Sequence, residues 1–377
     1  MSVEKFDCIV IGLGGMGSAS LFELQKLGLH VLGLEQFSIP HEKGSSHGLS
    51  RIIRLAYFEH PSYIPLLKKS YIRWEELEDQ SNEELFIKTG SIDASLPNDS
   101  IFKGSLKSCI DYQLDHEVLE GPLLKKMFPG YELPKNFKAV YQPDGGILIP
   151  EKCITTFSNI ARRKGAIIKE GEKVLALEKD PYGVKVITDQ SSYISKQAVL
   201  TTGAWTSELL PEFKSLLTPV RQVMGWFQPK SEENFLKEVF PVFNLGIEEG
   251  HFYGFPSLDK TGIKIGKWQH RHEVASPDNL RTEIDQKDEE VLRDCLFKCF
   301  PKANGKLLNA KACMFTNTPD ENFLIHQDPK LPLLSASGFS GHGFKFCSVI
   351  GEIIGQLVTK GKTEHNIDLF SVDRFRR

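Results

Sequence analysis

Phe6-Asp7-Cys8-Ile9-Val10-Ile11-Gly12-Leu13-Gly14-Gly15-Met16-Gly17 is a short apolar run that ends in a glycine-rich turn of the GxGxxG pattern. The run reads as a buried parallel strand. Residues 18–29 then carry apolar side chains at Ala19, Leu21, Phe22, Leu24, Leu27 and Leu29, a helical spacing. A second strand, residues 30–34, closes on Glu35, 23 positions after Gly12. Strand, glycine turn, helix, strand and acid in this order form a dinucleotide-binding unit, whereas the glycines alone would be weak evidence. Gly12 serves the tight turn, Gly14 and its neighbours Gly15 and Met16 bring backbone to a pyrophosphate, and Gly17 lets helix and strand pack closely. The pyrophosphate meets free N–H groups at the positive helix end. Glu35 would accept hydrogen bonds from ribose hydroxyls, which argues against a 2′-phosphate and hence against NADP. FAD and NAD both remain open at this point.

Beyond residue 80 the chain stops alternating simply. Residues 88–92 read as a strand, 143–146 as a turn, 153–164 as a helix, and 166–170 as a strand returning to the nucleotide unit. Strands at 184–188 and 197–202 follow, ending in the small-residue turn Thr201-Thr202-Gly203-Ala204-Trp205. From about 216 to 309 aromatics gather, as in His251-Phe252-Tyr253-Gly254-Phe255-Pro256, and most of them are expected to be core. A charged helix is expected over 285–300, and a last helix after Lys345. The fold class is therefore α/β with an inserted α+β domain. Residues 1–85, 150–215 and 310–377 form a Rossmann-type nucleotide domain, and 86–149 and 216–309 form a discontinuous, mixed-sheet substrate domain.

The 377 residues suit two or three structural units, and 40% hydrophobic with 25% charged residues describes a globular chain. Forty-six basic against 49 acidic residues leave −3, so no nucleic-acid footprint is visible. The short basic clusters, including Arg374, Arg376 and Arg377 at the end, read as solvated surface. No stretch is long and apolar enough for a membrane span, and the start, residues 1–5, carries no signal-peptide core. Seven scattered cysteines without paired spacing fit free thiols in a reducing compartment, so a cytoplasmic location is expected. No metal site is expected, Cys295 and Cys299 lacking a second ligand pair.

Four further motifs occur in order: His47-Gly48-Leu49-Ser50-Arg51-Ile52-Ile53-Arg54, Tyr253-Gly254-Phe255-Pro256-Ser257, Cys313-Met314-Phe315-Thr316 and Gly338-Phe339-Ser340-Gly341-His342-Gly343-Phe344-Lys345. With the glycine turn they make the whole chain, down to Thr363-Glu364-His365-Asn366-Ile367-Asp368, resemble the monomeric sarcosine oxidase family, which includes N-methyltryptophan and pipecolate oxidases. The resemblance implies FAD attached covalently through a thioether to Cys313, and a monomer acting on small amino acids and O₂. It implies that Ser45, Arg51, Gly341, His342, Gly343 and Lys345 contribute to the flavin site. Arg54 and Lys345 would hold the substrate carboxylate, Tyr253 would line its pocket, and Lys264 would activate oxygen. The chain departs from the family pattern at Trp268, where a histidine is common, and at Asn244, where a methionine is common. These departures point away from sarcosine itself as the preferred substrate, although His270 and His272 follow Trp268 closely.

The residues read on their own leave other roles open. Arg51 and Arg54, three apart in an apolar segment, need anionic or polar partners. For Arg54 this is either a substrate carboxylate, which its planar fork fits, or a structural pair with Glu59. Lys264 between Ile263 and Ile265 could equally snorkel outward. His47 is a candidate base for the amine proton. The expected reaction is oxidation of a secondary-amine amino acid to an imine, with O₂ reduced to H₂O₂. The rival readings are an NAD-dependent dehydrogenase, a glycine or D-amino-acid oxidase, and a flavin-bearing binding or tRNA-modifying module.

Overall fold

In the computed structural model, which describes residues 4–375, the opening run becomes the strand Lys5–Ile11 at the centre of a sheet. Residues 1–3, and Arg376 and Arg377 of the basic tail, lie outside the described residues. The strand pairs in parallel with Val31–Glu35 on one side and Ser192–Leu200 on the other. Ile167–Glu170 extends the parallel set beyond Val31–Glu35, as expected of a returning strand. Cys8 and Val10 face one core and Ile9 and Ile11 another, which is why the run is apolar without alternation.

The first helix spans Gly15–Lys26 rather than residues 18–29. It starts on the glycine turn itself and ends because Gly28 adopts a left-handed φ of +83°. The helices Pro150–Arg163 and Cys347–Lys360 pack against it, and together they bury the helix side of the sheet. The strand expected over 88–92 is instead two: Phe86–Lys88 joins Arg51–Ile53 and Gly146–Leu148 in a small three-stranded sheet, and Ser91–Ser95 belongs elsewhere.

That other place is a second eight-stranded sheet, ordered Leu307–Asn317, Thr218–Phe227, Ile263–Lys267, Gly250–Phe255, Val242–Ile247, Ser91–Ser95, Lys138–Gln142 and Glu117–Glu120. Neighbours are antiparallel except Ser91–Ser95 beside Val242–Ile247. One face packs Val223, Phe227, Phe243, Phe252, Ile263 and Ile265 against the helix Gln286–Cys299. Most of the aromatics expected to be core are buried, Phe227, Phe243 and Phe252 on this face and Trp226 and Phe255 on the other. Trp226, Met224, Cys313 and Phe315 occupy the opposite face, with Tyr253 and Trp268 packed on them. The strand Leu307–Asn317 pairs along its length with Thr218–Phe227. The second sheet therefore runs past residue 310, the expected edge of the nucleotide segment.

All seven cysteines are unpaired and buried. No described helix is long and apolar enough to cross a membrane.

The helix Gln286–Cys299 is tied to its sheet by a buried ion pair, Arg221 Nη2 to Asp288 Oδ2 at 2.9 Å, and His270 adds a contact to Asp288 at 3.1 Å. Burial would raise the Asp288 carboxyl, but the hydrogen bonds it accepts from Arg221 and from the Asp285 backbone N–H hold it well below the usual carboxylate range. A carboxyl depressed in the folded state stabilises above its ordinary range and loses that stabilisation as the pH falls through the acid range. Asp288→Asn should cost about 3 kcal/mol of unfolding free energy at neutral pH, because buried Arg221 then keeps only Glu273, 3.5 Å away, as an anionic partner among the described residues. The deficit relative to wild type should shrink as denaturant titrations are repeated toward acid pH.

Candidate active site

The glycine turn opens one side of a cleft of about 1240 Å³. Gly12 sits at φ +84°, where a Cβ would lie 2.9 Å from the Thr201 carbonyl. A Cβ on Gly17 would lie 1.8 Å from the Gly12 carbonyl, so Gly17 closes the turn from behind and does not line the cleft. Gly14 caps the helix with no side-chain bond and with open space around it, leaving first-turn N–H groups for an anion. Glu35 lines the cleft, and Leu13 N–H donates to its Oε2 at 2.7 Å and Phe37 N–H to its Oε1 at 3.1 Å. Burial raises this carboxyl while those N–H groups hold it down. Met16, Ser45, Gly341 and Gly343 complete the expected lining. Thr316, whose hydroxyl is buried without a partner, and the turn Thr201–Trp205 line it as well.

A second cavity, about 640 Å³, shares Arg51, Phe315, Gly341 and Phe344 with the first. Arg51 marks the junction. Its Nη1 donates to the Ser50 carbonyl at 2.8 Å and its Nη2 to the Ser45 carbonyl at 2.6 Å, and no carboxylate pairs with it among the described residues. Lys345, 5% exposed, lines the second cavity and donates to the His342 carbonyl at 2.7 Å. Burial lowers its ammonium to about 7, against the pull of Glu59. Arg54, 2% exposed, lines it too, its Nη2 held by both Glu59 oxygens at 2.9 Å and its Nη1 3.6 Å from Asp93. Of the two readings left open, the structure thus shows the ion pair with Glu59.

Tyr253 and His342 line the second cavity, not the cleft. His342 bridges the Tyr57 hydroxyl at 2.5 Å and the Glu321 carbonyl at 2.9 Å, so Nε2 donates and Nδ1 accepts. Burial lowers it to about 4, leaving it neutral.

Lys264 does not snorkel outward. It is 2% exposed, and its Nζ donates to Gly48 O at 2.7 Å and to Ser50 O and Ser50 Oγ at 3.0 Å. Three hydrogens meet three acceptors behind the loop that carries Arg51, outside both cavity linings. Burial and Arg51 push its pKa well down. Cys313 is fully buried two residues before Phe315, also outside both linings. Burial raises its thiol, and Arg51 and Lys264 pull it back. His47 is buried with neither ring nitrogen bonded, lowered to about 3 by burial and by Arg51, Lys311 and Lys264. An imidazole that resists protonation, and lines neither cavity, is a poor acceptor for an amine proton.

His270 and His272 do not return an imidazole to the pocket, since His270 is spent on Asp288 and His272 is exposed. His251 does, lining the second cavity with its ring stacked at 6.0 Å on Trp268. Sequence reasoning missed His251 and also Asp93; the period-two alternation of the two strands was the available signal.

Because a carboxylate binds the protonated ammonium, Lys345 makes a pH test. The Kd of the protein for a small carboxylate such as acetate, measured by titration calorimetry, should rise as the pH passes upward through about 7. Lys345→Met should flatten that dependence.

The FAD dependent oxidoreductase family matches residues 7–357. The chain is 38% identical to monomeric sarcosine oxidase of Bacillus sp. (strain NS-129), over 98% of this chain and 97% of that one. It is 31% identical to N-methyl-L-tryptophan oxidase of Salmonella enteritidis PT4 (strain P125109), over 98% and 99%. Among solved structures, L-proline dehydrogenase from P. horikoshii shares the fold, with TM-score 0.86 at 23% identity, covering 100% of this chain and 99% of that one. The cleft geometry fits FAD, and the chain belongs to the FAD-dependent oxidoreductase family that contains monomeric sarcosine oxidase and N-methyl-L-tryptophan oxidase, which makes it an FAD-dependent amino acid oxidase.

Proposed function

We propose that the protein oxidises secondary-amine amino acids, N-methyl or cyclic, to imines at the expense of O₂. The observation that carries this reading is a small pocket walled by Arg51, Arg54 and Lys345 that opens directly onto the dinucleotide cleft. When bound, FAD supplies the two-electron acceptor for the C–H bond beside nitrogen and passes those electrons to O₂, giving H₂O₂.

The protein's residues supply position and charge. Lys345 and Arg54 grip the substrate carboxylate, which competes with Glu59 for the Arg54 fork. Tyr253, Phe255, Trp268 and Phe344 wall the pocket and exclude water, so the carboxylate end and the oxidised carbon are held in one orientation. Lys264, whose protonated form its three oxygen acceptors favour against the lowering by burial and Arg51, supplies the positive charge that favours the first electron reaching O₂. Cys313, whose thiol burial raises while Arg51 and Lys264 partly offset that rise, carries the thioether to the cofactor. In this reading residues 1–85, 150–215 and 310–377 serve the cofactor, with Leu307–Asn317 bridging, and 86–149 and 216–309 serve the substrate. The unpaired thiols support a cytoplasmic enzyme, the similarity to monomeric sarcosine oxidase supports a monomer, and the net charge of −3 supports a protein without a nucleic-acid partner.

Anaerobic addition of N-methyl and cyclic amino acids to the yellow protein should bleach it, and primary amino acids should do so more slowly. Lys264→Met should bleach at close to the wild-type rate and reoxidise in air about 10²-fold more slowly. Slow bleaching with normal reoxidation would remove the oxygen role. Acid-precipitated polypeptide should stay yellow, and Cys313→Ala should release its pigment under the same treatment.

A further inference from the structure

Four neighbouring strands of the second sheet put Asp93, Asn244, Tyr253 and Gly266 in one row across its cavity-facing side. Asn244 is 6% exposed and lines the second cavity. Its Nδ2 donates to Asp93 Oδ1 at 2.8 Å, and Asp93, fully buried, also accepts from Ser105 Oγ at 2.7 Å and lies 3.6 Å from Arg54 Nη1. A carboxylate only accepts, so Asp93 fixes which way the Asn244 amide points. The Asn244 Oδ1 is left with no donor among the described residues, yet it is not one of the sealed, unpartnered polar atoms. It opens on the cavity.

Two more polar groups there are uncommitted. The Tyr253 hydroxyl has no partner among the described residues, and His251 Nε2 is buried without one. His251 stands between Phe58 at 5.3 Å and Trp268 at 6.0 Å, and burial holds its pKa near 4, so it is neutral and offers one donor and one acceptor. A substrate with only a carboxylate and a methylamine leaves these groups unpaired, and unpaired polar groups in a desolvated site are costly. Sites built to hydrogen-bond a hydroxyl or amide reject analogues that lack it.

We infer that Asn244, oriented by Asp93, is a specificity-determining residue. Its Oδ1 accepts a hydrogen bond from a hydroxyl or amide on the side chain or N-substituent of the substrate. The preferred substrates are accordingly secondary-amine amino acids that carry such a donor. This inference rests on the proposed oxidation of secondary-amine amino acids.

The test compares matched pairs by peroxide release from the holoenzyme: N-(2-hydroxyethyl)glycine against N-propylglycine, and N-methyl-L-serine against N-methyl-L-2-aminobutyrate, with sarcosine as reference. The wild-type protein should prefer the hydroxylated member of at least one pair by about tenfold or more in kcat/KM. Asn244→Leu should bring that ratio to about one. No preference in either wild-type pair overturns the inference without any variant having to fold. A retained preference in Asn244→Leu, with both members slowed alike, also overturns it, because the amide would then serve the amine common to all. If neither pair nor sarcosine is oxidised, the proposed reaction itself has failed. If sarcosine and the apolar members turn over as well as the hydroxylated ones, only the specificity assignment has.

Discussion

Three cationic side chains at the centre of the molecule have no anion of their own. Arg51, Lys264 and Lys345 are held instead by main-chain carbonyls of Ser45, Gly48, Ser50 and His342. Carbonyl dipoles orient such groups and lessen the cost of burying them, but they do not cancel the charge. The surrounding architecture follows from this constraint. Glu151 fixes the turn ahead of Arg51 by accepting the Gly48 and Leu49 N–H groups at 2.6 and 3.1 Å, and Arg51–Ile53 is held as a strand beside Gly146–Leu148.

Arg54 shows the contrasting solution. It has Glu59 and Asp93 within reach, and its guanidinium lies 4.5–4.6 Å from the Tyr57 and Phe58 rings. Paired, stacked and buried, it is charged under all ordinary conditions, whereas burial leaves Lys345 near the edge of neutrality. The two cations of the proposed carboxylate grip therefore answer differently to their surroundings, one as a fixed charge and one as a charge that an anionic neighbour reinforces.

The sequence made the first forty residues readable because their chemistry is contiguous: the strand, the turn, the helix and Glu35 are neighbours along the chain and in space. The helix boundaries moved by three residues because the turn and Gly28, not the apolar spacing, set them. The fold class was legible from the same signals repeated after residue 150. The pocket was less so. Lys264 looked like an ordinary strand residue, since facing inward or outward is decided by which face of the sheet the core takes. Asp93 and Asn244 are 151 residues apart and meet through a parallel pairing that no local pattern announces. His251 was passed over because a histidine beside phenylalanines reads as core.

That same parallel pairing ties the molecule together in time as well as in space. Ser91–Ser95 finds its inner neighbour only when Val242–Ile247 exists, and the far edge of the sheet waits for Leu307–Asn317. During synthesis the antiparallel pair Ser91–Ser95 and Lys138–Gln142 waits about a hundred residues for Val242–Ile247 to cover its open edge. Long-range closure of this kind slows folding and keeps that edge available to other chains. Neither half is a module to be cut free, and assembly depends on Val242–Ile247 arriving before the waiting edge pairs with something else.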